Sequence, residues 1–357
     1  MGEGWVGVTL ACHNAGAPPT LPVPHGGGRE SYAYGGIQLN GPLTLNERAL
    51  RLADHLAANA AAFRVSVQQT PAGARLIDCG VQAAGGLQAG VALARVCLSG
   101  HAEVSLMPAD VGGVPCVQVA VATDHPVAAC MASQYAGWQI SVGKFFAMGS
   151  GPMRAAYGKE ELFDKIPGRE QPPVAVGVLE SRKLPDDAVV EYLAERLNIP
   201  ASKITLLVAP AYSTAGSLQV VARSLETALH KLFELKFDLN QVVSGFGSAP
   251  LPPSSVGDLQ AIGRTNDAIL YGGRVILWVQ ADEAQLLEVG PKVPSSTSPD
   301  HGAPFAAIFD RYQQDFYKID PMLFSPAEVV FHNLKTGKTH AFGHTEPGIL
   351  KTSFFGG

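Results

Sequence analysis

The stretch ITLLVAPAYSTAGSLQVVARSLETALHKLFEL, residues 204–235, decides the fold. Residues 204–208 form an apolar run that predicts a strand. Residues 209–216 contain proline, serine, threonine and glycine, and they lead from the end of this strand into a helix. Residues 217–235 repeat apolar side chains at helical spacing, at Leu218, Val221, Leu225, Leu229 and Leu232. A strand joined to a helix by a short polar turn is typical of α/β proteins, whose ligands commonly bind at such turns.

The predicted helix 217–235 gathers Gln219, Arg223, Glu226 and His230 on a face other than its apolar one. Such a face is ordinarily solvated, and an Arg–Glu pair three residues apart would then contribute a few tenths of a kcal/mol. The alternative is a functional face, because the preceding turn lies where α/β proteins bind ligands. The pattern by itself leaves both interpretations open.

The alternation of strands and helices continues along the chain. Helices are predicted at 44–63, 87–98, 126–135, 186–197, 258–262 and 303–311, and strands at 65–69, 75–79, 103–107, 116–122, 138–148, 174–179, 275–280, 329–334 and 339–342. Residues 244–253 are rich in glycine and proline, so we expect an ordered loop there instead of regular structure. This mixture predicts the α/β class with α+β character, built as two α/β lobes with a substrate cleft between them.

Three segments make up the predicted domain organisation. Residues 1–41 carry Pro and Gly clusters and lack the basic start and long apolar core of a secretory signal, so we expect a mobile leader or an overlong start. A polar, Pro-rich break at 167–173 divides the rest into an N-terminal lobe, 42–168, and a C-terminal lobe, 169–357. The C-terminal lobe carries the helix with Arg223 and Glu226.

Composition excludes several classes of partner. The 357 residues are 46% apolar and only 16% charged, and 26 Lys and Arg against 31 Asp and Glu leave a net charge of −5. There is no basic excess for a phosphate backbone or an anionic membrane surface, so we expect neither nucleic acid nor membrane as a partner. The five cysteines are odd in number and show no CxxC spacing, which favours free thiols in a reducing cytoplasm.

Common catalytic motifs are absent from the sequence. It contains no GxxxxGK[ST] phosphate loop, GxGxxG fingerprint, HExxH zinc helix or GxSxG nucleophile elbow. His340 and His344 are four residues apart, but a predicted hairpin places them near a strand end, where they would not share a helix face as metal ligands do. We therefore expect no metal site.

Six segments, taken together, are far more specific than any short motif. They are ATDHP at 122–126, SQYAGW at 133–138, FFAMGSGP at 145–152, ARSLETALHKL at 222–232, GRTNDAILYGG at 263–273 and DFYKIDP at 315–321. In this order they resemble the methenyltetrahydromethanopterin cyclohydrolase family, over about residues 45–354. The resemblance implies hydrolysis of the methenyl bridge of a tetrahydromethanopterin, or its dephospho form, to the 5-formyl compound, by a cytoplasmic homotrimer without metal or redox cofactor. Such enzymes serve one-carbon metabolism in methanogenesis or in the formaldehyde oxidation of methylotrophs.

The resemblance also implies roles for individual residues. Glu226 would accept a proton from the attacking water and return one to the N10 nitrogen, and Arg223 would hold Glu226 and tune its pKa. A neighbouring guanidinium lowers a carboxyl pKa and burial raises it, so the net direction stays open. Residues expected to line the substrate cleft are Ser150, Arg264, Asn266 and Asp267, with Tyr317 and Lys318 at its rim. Asn266 and Asp267 could instead cap a helix.

Two other functions were weighed against this enzyme. A non-catalytic pterin-binding or carrier protein on the same scaffold would dispense with Arg223 or Glu226, and both are present. A folate cyclohydrolase would belong to a family with a Rossmann fingerprint, which this sequence lacks. We therefore expect the methanopterin enzyme.

Overall fold

A computed structural model describes residues 43–315 and 318–356. Its helices are α1 (Leu45–Ala58), α2 (Ala60–Phe63), α3 (Leu87–Cys97), α4 (Met153–Tyr157), α5 (Asp187–Leu197), α6 (Thr214–Val221), α7 (Ser224–Glu234), α8 (Asp258–Gly272), α9 (Glu283–Val289), α10 (Phe305–Arg311) and α11 (Pro347–Phe355). Its strands are β1 (Ser66–Gln69), β2 (Arg75–Asp78), β3 (Glu103–Val111), β4 (Val114–Thr123), β5 (Trp138–Val142), β6 (Phe145–Ser150), β7 (Ala175–Glu180), β8 (Ile204–Ala209), β9 (Val242–Pro250), β10 (Arg274–Val279), β11 (Glu328–Asn333) and β12 (Thr339–Gly343). A π-helix spans Val127–Gln134. The leader predicted at residues 1–41 lies outside the described residues.

The strands form two six-stranded mixed sheets. The first has the order β1-β2-β8-β7-β6-β5, in which β2, β8 and β7 are parallel and the other neighbours antiparallel. The second has the order β12-β11-β10-β9-β4-β3, in which only β10 and β11 are parallel. The α/β class with α+β character is therefore confirmed, while the cleft between two lobes stays a prediction.

Helices α3 and α6 lie between the cores of the two sheets. One side of α3, with Leu93 and Cys97, packs against the first sheet, and the other side, with Ala94 and Leu98, joins the core of the second. The two helices approach closely, since a Cβ on Gly90 of α3 would lie 2.8 Å from the Leu218 side chain of α6. Helix α6 ends within this layer, and α7 begins directly after it.

Helix α1 begins with the capping box that the sequence predicts. The Thr44 hydroxyl accepts the Glu47 N–H, and the Glu47 carboxylate accepts the Thr44 N–H at 3.0 Å. This exchange satisfies two amides that would otherwise lack partners at the helix start. Most predicted elements are present at similar positions, and the predicted strand 138–148 is the β5–β6 hairpin, with a turn at Gly143.

Three predictions of secondary structure are wrong. Residues 244–253, expected to form a loop, are mostly strand β9 in the middle of the second sheet. The expected helix 217–235 is two helices, α6 and α7, separated at Ala222 and Arg223. The predicted helix 258–262 continues through residues 263–272 as α8, which is ten residues longer.

Each sheet combines strands from both sides of the break predicted at 167–173. The first sheet places β7 and β8 between β2 and β6, and the second places β9 beside β4. The division of the chain at residue 168 therefore does not coincide with the division into sheets. Within the described residues, no helix has both the length and the apolar character needed to span a membrane.

Candidate active site

The break between α6 and α7 positions the two residues that the sequence singles out. Arg223 is the N-cap of α7 and Glu226 lies in its first turn. Both side chains are buried, with residue exposures of 8% and 5%. The interpretation of residues 223–230 as a solvated face with a surface ion pair is therefore wrong. Arg223 and Glu226 lie in the interior instead.

The Arg223 guanidinium binds groups from three other elements. It donates to the backbone oxygen of Gln134 in the π-helix, to Ser150 Oγ at the end of β6 at 3.1 Å, and to Gln219 Oε1 at 3.0 Å. Cys97 Sγ lies 3.7 Å from the same guanidinium. Arg223 is thus fixed by neutral acceptors, and among the described residues no carboxylate pairs directly with its positive charge.

The Glu226 carboxylate is buried without a direct partner. Across residues 43–315 and 318–356, it has neither a hydrogen bond nor an ion pair within 4.0 Å. Burial raises the pKa of Glu226 from 4.5 to about 7, while the positive charges of Arg223 and Arg154 lower it. Burial therefore prevails, and the carboxyl exchanges its proton near neutral pH.

The π-helix contributes a further polar group beside Arg223. Gln134 is completely buried; its amide donates to the Ala222 backbone oxygen at 3.1 Å, and its Oε1 has no partner among the described residues. π-Helices are uncommon and frequently occur at functional sites. A buried acceptor without a donor is costly unless a ligand or water supplies one.

Glu180, at the end of β7, is another carboxylate near Arg223. It is paired in register with Ala209 of β8 and Met148 of β6, two residues before Ser150. Burial raises the pKa of Glu180, and the charge of Arg223 partly offsets this rise. Neither Glu180 nor Gln134 was predicted as a site residue, although Gln134 lies in the SQYAGW segment that carries the family resemblance.

Of the described residues that were predicted to bind substrate, only Ser150 contacts Arg223. Arg264 donates to the backbone oxygens of Ser353 and Phe354 in α11, at 3.2 and 3.1 Å. Its contacts thus fasten the C-terminal helix and include neither Arg223 nor Glu226.

Asn266 and Asp267 also make structural contacts. The Asn266 amide donates to the Ile262 backbone oxygen one turn earlier in α8. Asp267 accepts the N–H of Phe305, the first residue of α10, at 2.8 Å, and the Ser353 hydroxyl at 2.6 Å. Neither residue caps its own helix, but Asp267 caps α10 from outside.

The two residues predicted at the cleft rim are only partly described. Lys318 is exposed and forms an ion pair with Asp315 at 3.4 Å. Tyr317 lies outside the described residues. For the histidines excluded as metal ligands, His340 Nε2 lies 2.6 Å from Glu283 and His344 Nε2 2.9 Å from Glu346.

Comparisons with known proteins identify the family of this chain. Residues 44–354 match the family described as "Cyclohydrolase (MCH)". The chain belongs to the methenyltetrahydromethanopterin cyclohydrolase family. It is 49% identical to the methenyltetrahydromethanopterin cyclohydrolase of Rhodopirellula baltica over 81% of this chain and 88% of the relative. It is 46% identical to that of Methylobacterium sp. (strain 4-46), over 87% and 97%, and 41% identical to that of Methanococcoides burtonii, over 87% and 98%.

Family membership confirms the resemblance stated from the sequence and the expectation of a cyclohydrolase. The relatives come from a methylotroph and a methanogen as well as from Rhodopirellula. The matched region, residues 44–354 of this chain, includes both sheets and the helices between them, among which Arg223 and Glu226 lie.

Proposed function

We propose that this cyclohydrolase hydrolyses 5,10-methenyl-tetrahydromethanopterin, or its dephospho form, to the 5-formyl compound. The observation that carries the mechanism is the buried, unpaired carboxylate of Glu226 beside the guanidinium of Arg223. A methenyl bridge between two nitrogens is an amidinium-like cation, and water must add to its carbon. The site offers this water a base.

Glu226 is the general base and then the general acid. With a pKa of about 7, a fraction of the carboxyl is ionised at neutral pH and accepts a proton as water adds to the methenyl carbon. The resulting tetrahedral carbinol opens by breaking its bond to N10, while its C–O bond becomes the formyl C=O and its hydroxyl proton is released to water. The protonated Glu226 then returns the proton to that nitrogen, so the enzyme ends in its starting state.

Arg223 keeps the base from becoming permanently protonated. Burial alone would favour the neutral carboxyl, and the charge of Arg223 acts in the opposite direction. Because Arg223 is held by Gln134, Ser150 and Gln219, its charge stays fixed while Glu226 gains and loses its proton. The unpartnered Oε1 of Gln134 is an acceptor for an N–H donor of the bound substrate.

In this mechanism water is the only reactant besides the substrate, and side chains transfer the protons. The amidinium carbon is already electrophilic, so no Lewis acid is needed to polarise it. Dialysis against a chelator should leave turnover unchanged, and a loss restored by a divalent metal would contradict this part. Arg264, Asn266, Asp267, Tyr317 and Lys318 stay predicted substrate-binding residues.

The test is to mix the protein with methenyl-tetrahydromethanopterin and to follow loss of the methenyl chromophore. We expect decay well above the spontaneous rate, and little with methenyl-tetrahydrofolate. Glu226→Gln is the matched variant, in which the decay should return almost to the spontaneous rate. Tight binding of substrate without faster decay would instead identify a pterin carrier.

We also propose that the enzyme is a cytoplasmic homotrimer, as the family resemblance implies. Leu87 and Phe355 are each 40% exposed and line one surface cavity of about 310 Å³, which suits contact with a second copy of the chain. Sedimentation at micromolar concentration should give three times the chain mass. Leu87→Glu should reduce it, and a wild-type monomer would refute the assembly.

A further inference from the structure

A second buried arginine, Arg154, binds the same π-helix as Arg223. Arg154 in α4 has no exposed side-chain surface, and its Nε donates to Glu160 Oε1 at 2.9 Å, while its Nη2 donates to Glu160 Oε2. The remaining Nη1 donates to the backbone oxygens of Met131 and Ser133 at 3.2 and 3.4 Å. Arg154 and Arg223 together therefore bind three carbonyl oxygens at the end of one π-helix.

Arg154 is connected to the helix of Glu226 through two rings. Its guanidinium carbon lies 4.8 Å from the ring centroid of Tyr135, and the Tyr135 ring stacks on that of His230 at 4.9 Å with an angle of 26°. His230 is one turn after Glu226 on α7. Arg154, Tyr135 and His230 thus form a continuous column of contacts beside the carboxylate.

The column is packed too closely to admit another side chain. A Cβ on Gly137 would lie 2.7 Å from Glu160 Oε2 and 2.8 Å from Tyr135 Cε1. Glycine at 137 therefore allows the carboxylate and the ring to meet. On its other side α4 is anchored by Tyr157, whose ring stacks on Trp138 at 4.3 Å.

We propose that Arg154 and Glu160 are a positioning pair for the active site: Arg154 places a second positive charge near Glu226, and Glu160 offsets part of that charge. This inference rests on the proposed function, in which Glu226 is the base. Neither residue needs to touch the substrate. The pair acts by holding the π-helix and Tyr135 and by setting the charge that Glu226 experiences.

Three titratable groups near Glu226, namely Tyr135, Cys130 and His230, are neutral near pH 7. Burial raises the pKa of Tyr135 to about 12 and that of Cys130 well above its usual value, and it lowers the pKa of His230. The charge of Arg154 lowers the pKa of Glu226, as does that of Arg223. The charges that act directly on Glu226 are those of Arg223 and Arg154. Three carboxylates lie one contact further away: Glu160 is paired with Arg154, Glu180 is near Arg223 and Glu234 is near His230.

Opposite substitutions in the pair should move the pH profile in opposite directions. Glu160→Gln removes the offsetting negative charge, so ionised Glu226 is favoured and the acid limb of kcat/KM moves to lower pH by about one unit. Arg154→Met removes the positive charge and moves the same limb to higher pH. Arg154→Lys keeps the charge without the two-pronged contact, so its limb should stay close to that of the wild type.

A nearby exposed ion pair provides the control. Arg169 and Asp164 pair through side chains that are 50% and 65% exposed, and Asp164→Asn should leave the pH profile unchanged. If both Glu160→Gln and Arg154→Met shift the limb in the same direction, or if neither shifts it, the pair is only structural and the inference is overturned. If Arg154→Met does not fold, Glu160→Gln and Arg154→Lys decide the question.

An infrared titration separates this inference from the proposed function. The carboxyl band of Glu226 is obtained as the difference between each protein and the same protein carrying Glu226→Gln, without substrate. Shifts of this band in opposite directions for Glu160→Gln and Arg154→Met support the pair even if Glu226 proves dispensable for turnover. If Glu226→Gln abolishes turnover but the band does not shift, the proposed function stands and the pair is refuted.

Discussion

Glu226→Gln should make the protein less active and more stable. The folded chain holds Glu226 with a pKa of about 7, whereas an ordinary glutamate has 4.5. The ionised carboxylate is therefore unfavourable in the fold by about 3 kcal/mol, since each pH unit corresponds to about 1.4 kcal/mol. Glutamine has a similar shape and no charge, so it does not carry this penalty.

The gain in stability should appear only above pH 4.5. Between pH 4.5 and about 7 the folded wild type binds more protons than the unfolded chain, so its free energy of unfolding decreases as the pH rises through this range. The glutamine variant lacks that decrease. We expect the two proteins to differ by about 3 kcal/mol more at pH 8 than at pH 4, or about 5 °C in Tm.

Urea denaturation at pH 4 and pH 8 measures the stability difference, and decay of the methenyl chromophore measures turnover. Turnover should fall on the order of a hundredfold, with a modest change in KM. Glu195→Gln is the matched control, because Glu195 is exposed on α5 and its substitution should change neither quantity. A stability difference between wild type and Glu226→Gln that does not vary with pH would refute the buried, unpaired carboxylate.

Three further substitutions and one control substitution test the structure. Arg223→Ala removes a positive charge beside the catalytic carboxylate, so the acid limb of turnover should move to higher pH, and an unchanged limb would contradict the tuning role. Asn46→Ala removes a completely buried amide that makes three hydrogen bonds. In urea denaturation it should reduce the free energy of unfolding by about 3 kcal/mol. A loss below about 1 kcal/mol would show that these bonds contribute little. Gly216→Ala places a methyl group 1.9 Å from the Pro210 oxygen and should reduce the free energy of unfolding by about 2 kcal/mol or more. The control Gly348→Ala, in an open helical position, should be neutral or stabilising. Equal effects of the two substitutions would refute the clash.

The elements that the sequence predicts well are those whose pattern is local. The apolar run at 204–208 becomes β8, and the hydroxyl–carboxylate pair at Thr44 and Glu47 starts α1. In both cases the residues that determine the element lie within it. Periodicity and capping therefore suffice.

Strand β9 was not predicted because its glycines are required by a tertiary contact with Leu225 of α7. A Cβ on Gly245 would lie 2.8 Å from the Leu225 side chain, and one on Gly247 would lie 2.7 Å from the Leu225 backbone nitrogen. The start of α7 packs directly on this strand, which only glycine permits. Locally, the same glycines indicate a loop, so this error could not be avoided without knowing the contact.

The site was predictable on the segment of Arg223 and Glu226 and, outside that segment, at Ser150, which contacts Arg223. Arg223 and Glu226 were identified because they are three residues apart in a segment that also carries the family resemblance. Gln134, Arg154 and Glu180 come from three other segments and meet the site through folding. Their side chains are ordinary polar residues in the sequence, and only burial distinguishes them.

Each sheet contains strands from both halves of the chain, so neither sheet can be completed early in synthesis. The first 168 residues contain the hairpins β1–β2, β3–β4 and β5–β6, which share no ladder with one another. Isolated hairpins are marginally stable, and their open edges can pair with other chains. At about 5 to 20 residues per second, the ribosome needs on the order of ten seconds to add β7, β8 and β9, the strands that join these hairpins into sheets. During this interval the hairpins keep open edges, so we expect that neither half of the chain alone forms a stable product.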